Sequence, residues 1–366
     1  MASRSLVSPT SNPLLQQALL EKVLRRNQGG DSLGELEPLA IRLGLMQRTL
    51  KPRFFDPQLL IFAADHGIAV DGIGGPGAAG THEIVNRLLA GHMPLAVFAR
   101  LQQIDLSVVD CGVAYDLPAH DGLLMRKIAH GTRNARLSAA MSLEQAHAAM
   151  RAGMEIGDKL RGNAVVLAGL GVGSNESAAM VLSRLGDAPV RELLLPAPPL
   201  EGQSATHVLD IVKKTLQRHR SVTDPIEVLA AMGGFEIAVM VGVMLMAASK
   251  RHLLLIDGMP ACAALMLASR IAQPVTDYCV FCRSHPHRGL DRALAMFRAT
   301  ALMELGLDHT DATGATLAWP LVRSAAALLT DVLDGDDPGP SERMAFVDDD
   351  ADAEPEANIF PGERLY

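Results

Sequence analysis

The chain has 366 residues, 49% of them hydrophobic and 20% charged, with 32 glycines and 21 prolines; these proportions exclude a disordered, low-complexity or collagen-like polypeptide and leave room for one large domain or two. The formal charge of −8 comes from the end of the chain, because residues 331–366 carry −10 and residues 1–330 carry +2. A nearly neutral body with no basic block argues against a nucleic-acid or anionic-membrane partner.

In chain order, a helical pattern runs from Pro13 to Arg26, a turn follows at Gly29–Ser32, and a second short helical pattern reaches Leu43. The first strong strand is Leu59–Ala64, followed at once by Asp65, His66 and Gly67 and then by a glycine-rich loop, Gly72–Gly80, whose Gly74, Gly75 and Gly77 free the backbone. Helical patterns then alternate with short apolar runs: Leu106–Val109 before Asp110, Ala164–Leu167 before Gly169, and Leu253–Ile256 before Asp257 and Gly258. This alternation, with aromatics at only 4%, predicts right-handed crossovers, a parallel sheet and a ligand cleft at its carboxyl edge, where the strands end in Asp or Gly. Leu229–Ser249 is apolar apart from Glu236 and long enough to span a bilayer. Its Gly233, Gly234 and Glu236, with the helical spacing of Ile237, Met240, Val241, Met244 and Leu245, read instead as a buried core helix. Asp334–Pro340 breaks the last helix, and the remainder, with its Asp348–Asp350 run, reads as a solvated, partly disordered tail.

Four segments could carry chemistry. Gly169-Leu170-Gly171-Val172-Gly173 leads into Ser174-Asn175-Glu176 at the start of an Ala-rich helix, which suits a phosphate or, equally, a tight turn with Ser174 as a plain N-cap. Its third glycine falls one position early for a dinucleotide fingerprint. Cys279, Cys282, His285 and His287 offer zinc-ligand types, but the spacing is short for a closed site, and two core cysteines on a strand followed by exposed histidines is the favoured reading. Asp65 and His66 could pair as acid and base, although neighbours at a strand end point to opposite sides. Asp308 and Asp311 precede Thr313-Gly314-Ala315-Thr316, where a carboxylate is a general base or a cap favoured by the helix dipole. Four cysteines are too few for a disulfide scaffold, and Met1–Asn12 lacks the layout of a secretory signal, so a cytoplasmic protein is expected.

Several segments in order resemble the nicotinate-nucleotide:dimethylbenzimidazole phosphoribosyltransferase family, from about Leu14 to Leu329: Ser32-Leu33-Gly34-Glu35, Ala64-Asp65-His66-Gly67, Asp110-Cys111-Gly112-Val113, Gly131-Thr132-Arg133-Asn134, Ala140-Met141-Ser142, Gly233-Gly234-Phe235-Glu236, Asp257-Gly258, and Thr313-Gly314-Ala315 through Leu317-Ala318-Trp319-Pro320-Leu321. The resemblance implies a doubly wound, Rossmann-like α/β domain over residues 51–300. A small helical domain would be formed by both chain ends, 1–50 and 301–333, with 334–366 as the tail. It also implies a homodimer with no metal and no organic cofactor. The implied reaction displaces nicotinate from nicotinate mononucleotide by a nitrogen of dimethylbenzimidazole or an analogue, giving an α-ribazole 5′-phosphate-type product for the cobalamin lower ligand.

On that resemblance Asp311 takes the place of the family's catalytic glutamate, one methylene shorter. Gly171, Gly173, Ser174, Asn175, Gly233, Gly234, Asp257, Gly258 and Ser284 are implied phosphate and ribose contacts, and Gly74, Glu83, Leu170 and His309 line the implied base pocket. The chain departs from the family pattern in several places: Gly74 replaces a serine, Glu83 a glutamine and His309 an apolar residue. Gly169 replaces a glutamate, and Glu176 brings a carboxylate to a phosphate-facing helix start. The family lysine falls at Val208, with Lys213 or Lys214 as substitutes. An active transferase is the first reading. Alternatives are a catalytically impaired binding or regulatory subunit, and a ribosyl chemistry run by Glu83 or Glu176.

Overall fold

The computed structural model describes residues 6–26, 32–74, 79–194 and 203–332. Residues 27–31, residues 75–78 of the Gly72–Gly80 loop and the acidic tail lie outside them.

Two helices open the chain, α1 (Pro13–Arg26) and α2 (Leu36–Gln47), and β1 (Gln58–Ala64) follows. After a short 3₁₀ turn come α3 (Thr81–Leu89), α4 (Pro94–Leu101), β2 (Asp105–Gly112), β3 (Leu123–Met125) and α5 (Leu143–Asp158). The second half runs β4 (Ala164–Leu170), α6 (Ser174–Gly186), α7 (Val190–Leu194), α8 (Gln203–Arg218), α9 (Pro225–Met232), α10 (Phe235–Ser249), β5 (Leu253–Asp257) and α11 (Met259–Ile271). It ends with β6 (Cys279–Cys282), α12 (Arg288–Met296) and α13 (Thr313–Thr330).

All strand pairs are parallel, in the order β3-β2-β1-β4-β5-β6, with Leu59 opposite Leu106 on one side and Val166 on the other. The expected doubly wound sheet is therefore present. Chain direction across the sheet reverses between β1 and β4, which opens a crevice at their carboxyl ends. Leu59–Ala64, Ala164–Gly169 and Leu253–Asp257 are buried, as strands covered by helices on both faces must be.

The strands run longer than their apolar runs suggest. Gly169 and Leu170 belong to β4 rather than to the loop, and the edge strands β3 and β6 complete the sheet. Leu229–Ser249 is two helices instead of one, because Gly233 and Gly234 adopt extended backbone between α9 and α10. Phe235–Leu245 is buried on every side rather than along one stripe, as expected for a central helix that packs on α5 and against the sheet. Among the described residues no helix is long and apolar enough to cross a membrane. At the far side α2 and α1 pack on α13, joining the two ends of the chain.

Candidate active site

Two polar clusters occupy the carboxyl edge. The first lies at the crevice between β1 and β4. There the Glu236 Oε1, in the first turn of α10, accepts hydrogen bonds from His66 Nε2 at 2.9 Å and from the Ser174 hydroxyl at 2.8 Å. All three residues are buried, and Glu236 Oε2 has no hydrogen-bond partner. Burial favours the neutral His66 ring, but the Glu236 carboxylate and its hydrogen bond outweigh that and raise the His66 pKa. Backbone contacts force the glycines here. A Cβ at Gly171 would strike the Ala64 carbonyl, one at Gly234 would strike Glu236 and His66, and Gly173 holds φ +91° as it turns the chain into α6. Ser174 is thus no N-cap: Gly173 occupies that place and the serine hydroxyl points inward. Burial raises the pKa of Glu176, in the first turn of α6.

The second cluster joins β5, the loop after β6 and the start of α13. Asp257 Oδ2 accepts from the Ser284 hydroxyl at 2.7 Å and from the Ala315 amide at 2.9 Å, while Ser284 Oγ accepts from the Gly314 amide at 2.8 Å. These bonds take up orphan donors of α13, whose N-cap residue Ala312 offers no side-chain acceptor. Asp311 is therefore not a capping residue. Its carboxylate lies over Gly258, where a Cβ would collide with it, and Gly258 itself holds φ +90°. Burial, reinforced by the nearby Asp311 charge, pushes Asp257 up to about 6.

Asp311 also faces His285, whose Nε2 is 3.2 Å from Asp311 Oδ1, and whose Nδ1 is 3.0 Å from Asp308 Oδ1. Burial opposes the ring's charge, but the two aspartates outweigh it and lift His285 to about 9. An open cleft of about 130 Å³ lies here, lined by Asn175, Gly258, His285, His287, Asp308 and Asp311 together with Met259, Pro286 and Leu290. Its walls come from the first turn of α6, the turn from β5 into α11, and α12 with the segments flanking it, which is the carboxyl-edge position expected of a ligand site in this fold.

The structure brings Asn175, Gly258 and Asp311 to one cleft, with Asp257 and Ser284 buried directly behind it. Gly233 and Gly234 shape the neighbouring cluster. Glu83 and Gly74 are exposed and Leu170 is half-buried, and none of the three lines the cleft; His309 binds the Thr313 hydroxyl through Nδ1 at 3.2 Å. Val208 is partly buried against the core, whereas Lys213 and Lys214 are exposed on α8 and do not line the cleft; Lys214 pairs with Asp210 one helical turn back at 2.6 Å. The cysteine–histidine segment separates in the fold. Cys279 and Cys282 are buried on β6, their thiol pKa values pushed up by burial, and no cluster of three His, Cys, Asp or Glu fit to hold a metal occurs among the described residues. His285, which the sequence offers only as a weak metal-ligand candidate, enters this cleft instead through Asp308 and Asp311, which lie beyond α12 in the chain.

Residues 9–339 match a family model described as phosphoribosyltransferase, which fixes the class. The chain is 39% identical over 323 residues to the nicotinate-nucleotide–dimethylbenzimidazole phosphoribosyltransferase of Cupriavidus taiwanensis, covering 87% of this chain and 92% of the relative. It is 35% identical over 326 residues to that of a Janthinobacterium strain, covering 88% and 94%. The crystal structure of the enzyme of that name from Thermus thermophilus superposes with a TM-score of 0.80 at 28% identity, covering 87% of this chain and 96% of that one. The chain belongs to the nicotinate-nucleotide–dimethylbenzimidazole phosphoribosyltransferase family.

Proposed function

We propose that the chain transfers the 5-phosphoribosyl group of nicotinate mononucleotide to a nitrogen of dimethylbenzimidazole or a close aromatic analogue, with Asp311 as the general base. The observation that carries this reading is the Asp311 carboxylate itself, held in the cleft over Gly258 and opposite Asn175, with its side chain only 12% exposed. In the reaction the acceptor nitrogen forms a bond to the anomeric carbon as the bond to nicotinate breaks. Nicotinate leaves with the electron pair, and Asp311 takes the proton from the acceptor. Only positioning and one proton transfer are asked of the protein. Asn175 and the backbone at Gly171, Gly173 and Gly258 are the proposed nucleotide contacts, with Asp257, Ser284 and Ser174 holding those segments from behind. Leu170, Gly74, Glu83 and His309 remain the proposed surroundings of the base. A carboxylate kept in the cleft favours this reading over a binding subunit without activity. The family resemblance adds a homodimer in the cytoplasm, with sedimentation of the full chain as the test of the dimer.

The test is nicotinate release from the purified protein with nicotinate mononucleotide and a panel of benzimidazoles, purines and phenols, with Asp311→Asn beside it. Release that the substitution lowers by roughly 10²-fold or more supports the reading. Release that Asp311→Asn leaves intact, or no release with any acceptor, overturns it.

A further inference from the structure

Among the described residues that line the cleft holding Asp311 there is no lysine or arginine, and the basic side chains there are the imidazoles of His285 and His287. His285 is gripped on both sides: Nε2 faces Asp311 Oδ1 at 3.2 Å and Nδ1 faces Asp308 Oδ1 at 3.0 Å. Because both ring nitrogens face carboxylates, the ring satisfies both only when both carry hydrogen, that is, as imidazolium. The ring is one-third exposed, whereas Asp308 is 83% exposed, so one wall of the arrangement is solvent and the other is the base.

We propose that His285 is the positioning residue of the general base, fixing the Asp311 carboxylate by a charge-assisted hydrogen bond while Asp308 fixes the ring. The inference rests on the assignment of Asp311 as the base. A carboxylate whose backbone segment lies outside α13 has free rotation about its side chain unless something holds it, and an error of about 1 Å in a catalytic group can cost 10²-fold in rate. Gly258 limits Asp311 from below by contact. His285 limits it from the side, and a carboxylate gripped by an ionised donor is held more firmly than one gripped by a neutral amide.

Among the described residues, further charged or titratable groups face the ring from β5 and from its own segment. Asp257, on β5, adds to the negative field that keeps the ring charged. His287 lies two residues on, and burial together with the His285 charge lowers its pKa, so it stays neutral beside a charged His285. Arg283 donates through Nε to the His285 carbonyl, while its guanidinium is committed to Asp291 and Glu304. The grip on Asp311 therefore persists through neutral pH and is released as pH rises through about 9.

The experiment measures kcat and KM for nicotinate release against pH for the wild type, His285→Gln and Asp311→Asn, with the same substrates throughout so that substrate titration cancels. The histidine is also followed by NMR in the full-length wild-type protein and in Asp308→Asn. The expected wild-type kcat falls as pH passes about 9. In His285→Gln, kcat is lower at neutral pH by roughly 10-fold to 10²-fold with KM little changed, and the decline near pH 9 disappears, because the amide cannot titrate. The NMR resonance of His285 titrates well above the ordinary value of 6.5, and less so in Asp308→Asn. Full activity in Asp311→Asn overturns the base assignment and this inference with it. Loss of activity in Asp311→Asn with an unchanged rate and pH profile in His285→Gln overturns the inference alone. So does a His285 that titrates at its ordinary value in the folded wild-type protein, a result independent of how any variant folds.

Discussion

The two polar clusters at the carboxyl edge use the same ingredients, carboxylate, histidine and serine, and differ in what surrounds them. At the β1/β4 crevice His66, Ser174 and Glu236 are buried, and His66 Nε2 and the Ser174 hydroxyl both bond Glu236. At the β5/β6 end Asp257 and Ser284 are equally closed off, but they support Asp311 and His285, which face an open cleft. A closed cluster can only hold segments together, since nothing from outside reaches it. A cluster graded from buried to exposed can both hold segments and meet a substrate, and pKa values there are shifted by groups the substrate will adjoin.

The largest effect that tests this contrast is on stability at the closed cluster. Glu236→Ala removes the counter-charge of a buried histidine and the acceptor of a buried hydroxyl, which is expected to cost about 3–5 kcal/mol. Denaturant unfolding monitored by circular dichroism reads it. A loss under about 1 kcal/mol would mean that the cluster does not hold the crevice together. The reverse pattern is expected at the cleft, where Asp311→Asn lowers turnover by roughly 10²-fold or more and costs less stability than Glu236→Ala, because the His285 ring that it leaves without a counter-charge is one-third exposed. A substitution that unfolds the protein as it silences it would erase the distinction between the two clusters.

A smaller effect separates the buried and exposed halves of the cleft cluster by pH. Asp257 is pushed up to about 6 from 3.8, so its charged form is harder to reach in the fold than in the unfolded chain. The stability linked to it is complete below about pH 3.8 and is lost as pH rises through about 6. Asp257→Asn keeps an acceptor for Ser284 and Ala315 and cannot ionise. The wild type is therefore expected to lose stability relative to Asp257→Asn between pH 4 and 6 and to run parallel to it just above. His285 has the same sign in another window, since its pKa is raised to about 9: its contribution is complete below 6.5 and lost as pH rises through about 9. Paired melting curves across pH 4–10 would show both steps. A flat difference between wild type and Asp257→Asn over pH 4–6 would place Asp257 in a better solvated setting.

The pattern of what the sequence discloses follows from the range of the forces involved. β1, β4 and β5 announce themselves because strands buried on both faces are continuous apolar runs, and β2 does so through its shorter apolar stretch Leu106–Val109. β3 and β6 have three and four residues, too few for any period to register, and β6 reads in the sequence chiefly as a pair of cysteines. The break at Gly233-Gly234 is visible as residues but not as a break, because the apolar run continues through it. Glu236 stands out only as the polar residue in that run, and its partners His66 and Ser174 come from other elements. Asp311 is singled out by its resemblance to a family position rather than by spacing, and its surroundings make a cleft without fixing a role. His285 reads in the sequence as a weak metal ligand, since its pairing with Asp308 and Asp311 exists only after β6 and α13 pack side by side.

The smallest expected effect concerns a cation the sequence offers and the fold sets aside. Lys213 and Lys214 are the lysines nearest the position where the family carries one, yet both side chains are exposed on α8, and Lys214 pairs with Asp210 across one helical turn. An exposed pair of this kind contributes about 0.3–0.5 kcal/mol. Lys213→Ala with Lys214→Ala is therefore expected to shift unfolding free energy by no more than about 0.5 kcal/mol and to leave the KM for nicotinate mononucleotide unchanged within about twofold, a difference of about 0.4 kcal/mol. Titration of KM against ionic strength in the same double variant sharpens the point: a lysine that reached the phosphate would give the wild type a steeper salt dependence than the variant. A KM raised tenfold or more would show that α8 moves on substrate binding and carries a lysine to the cleft.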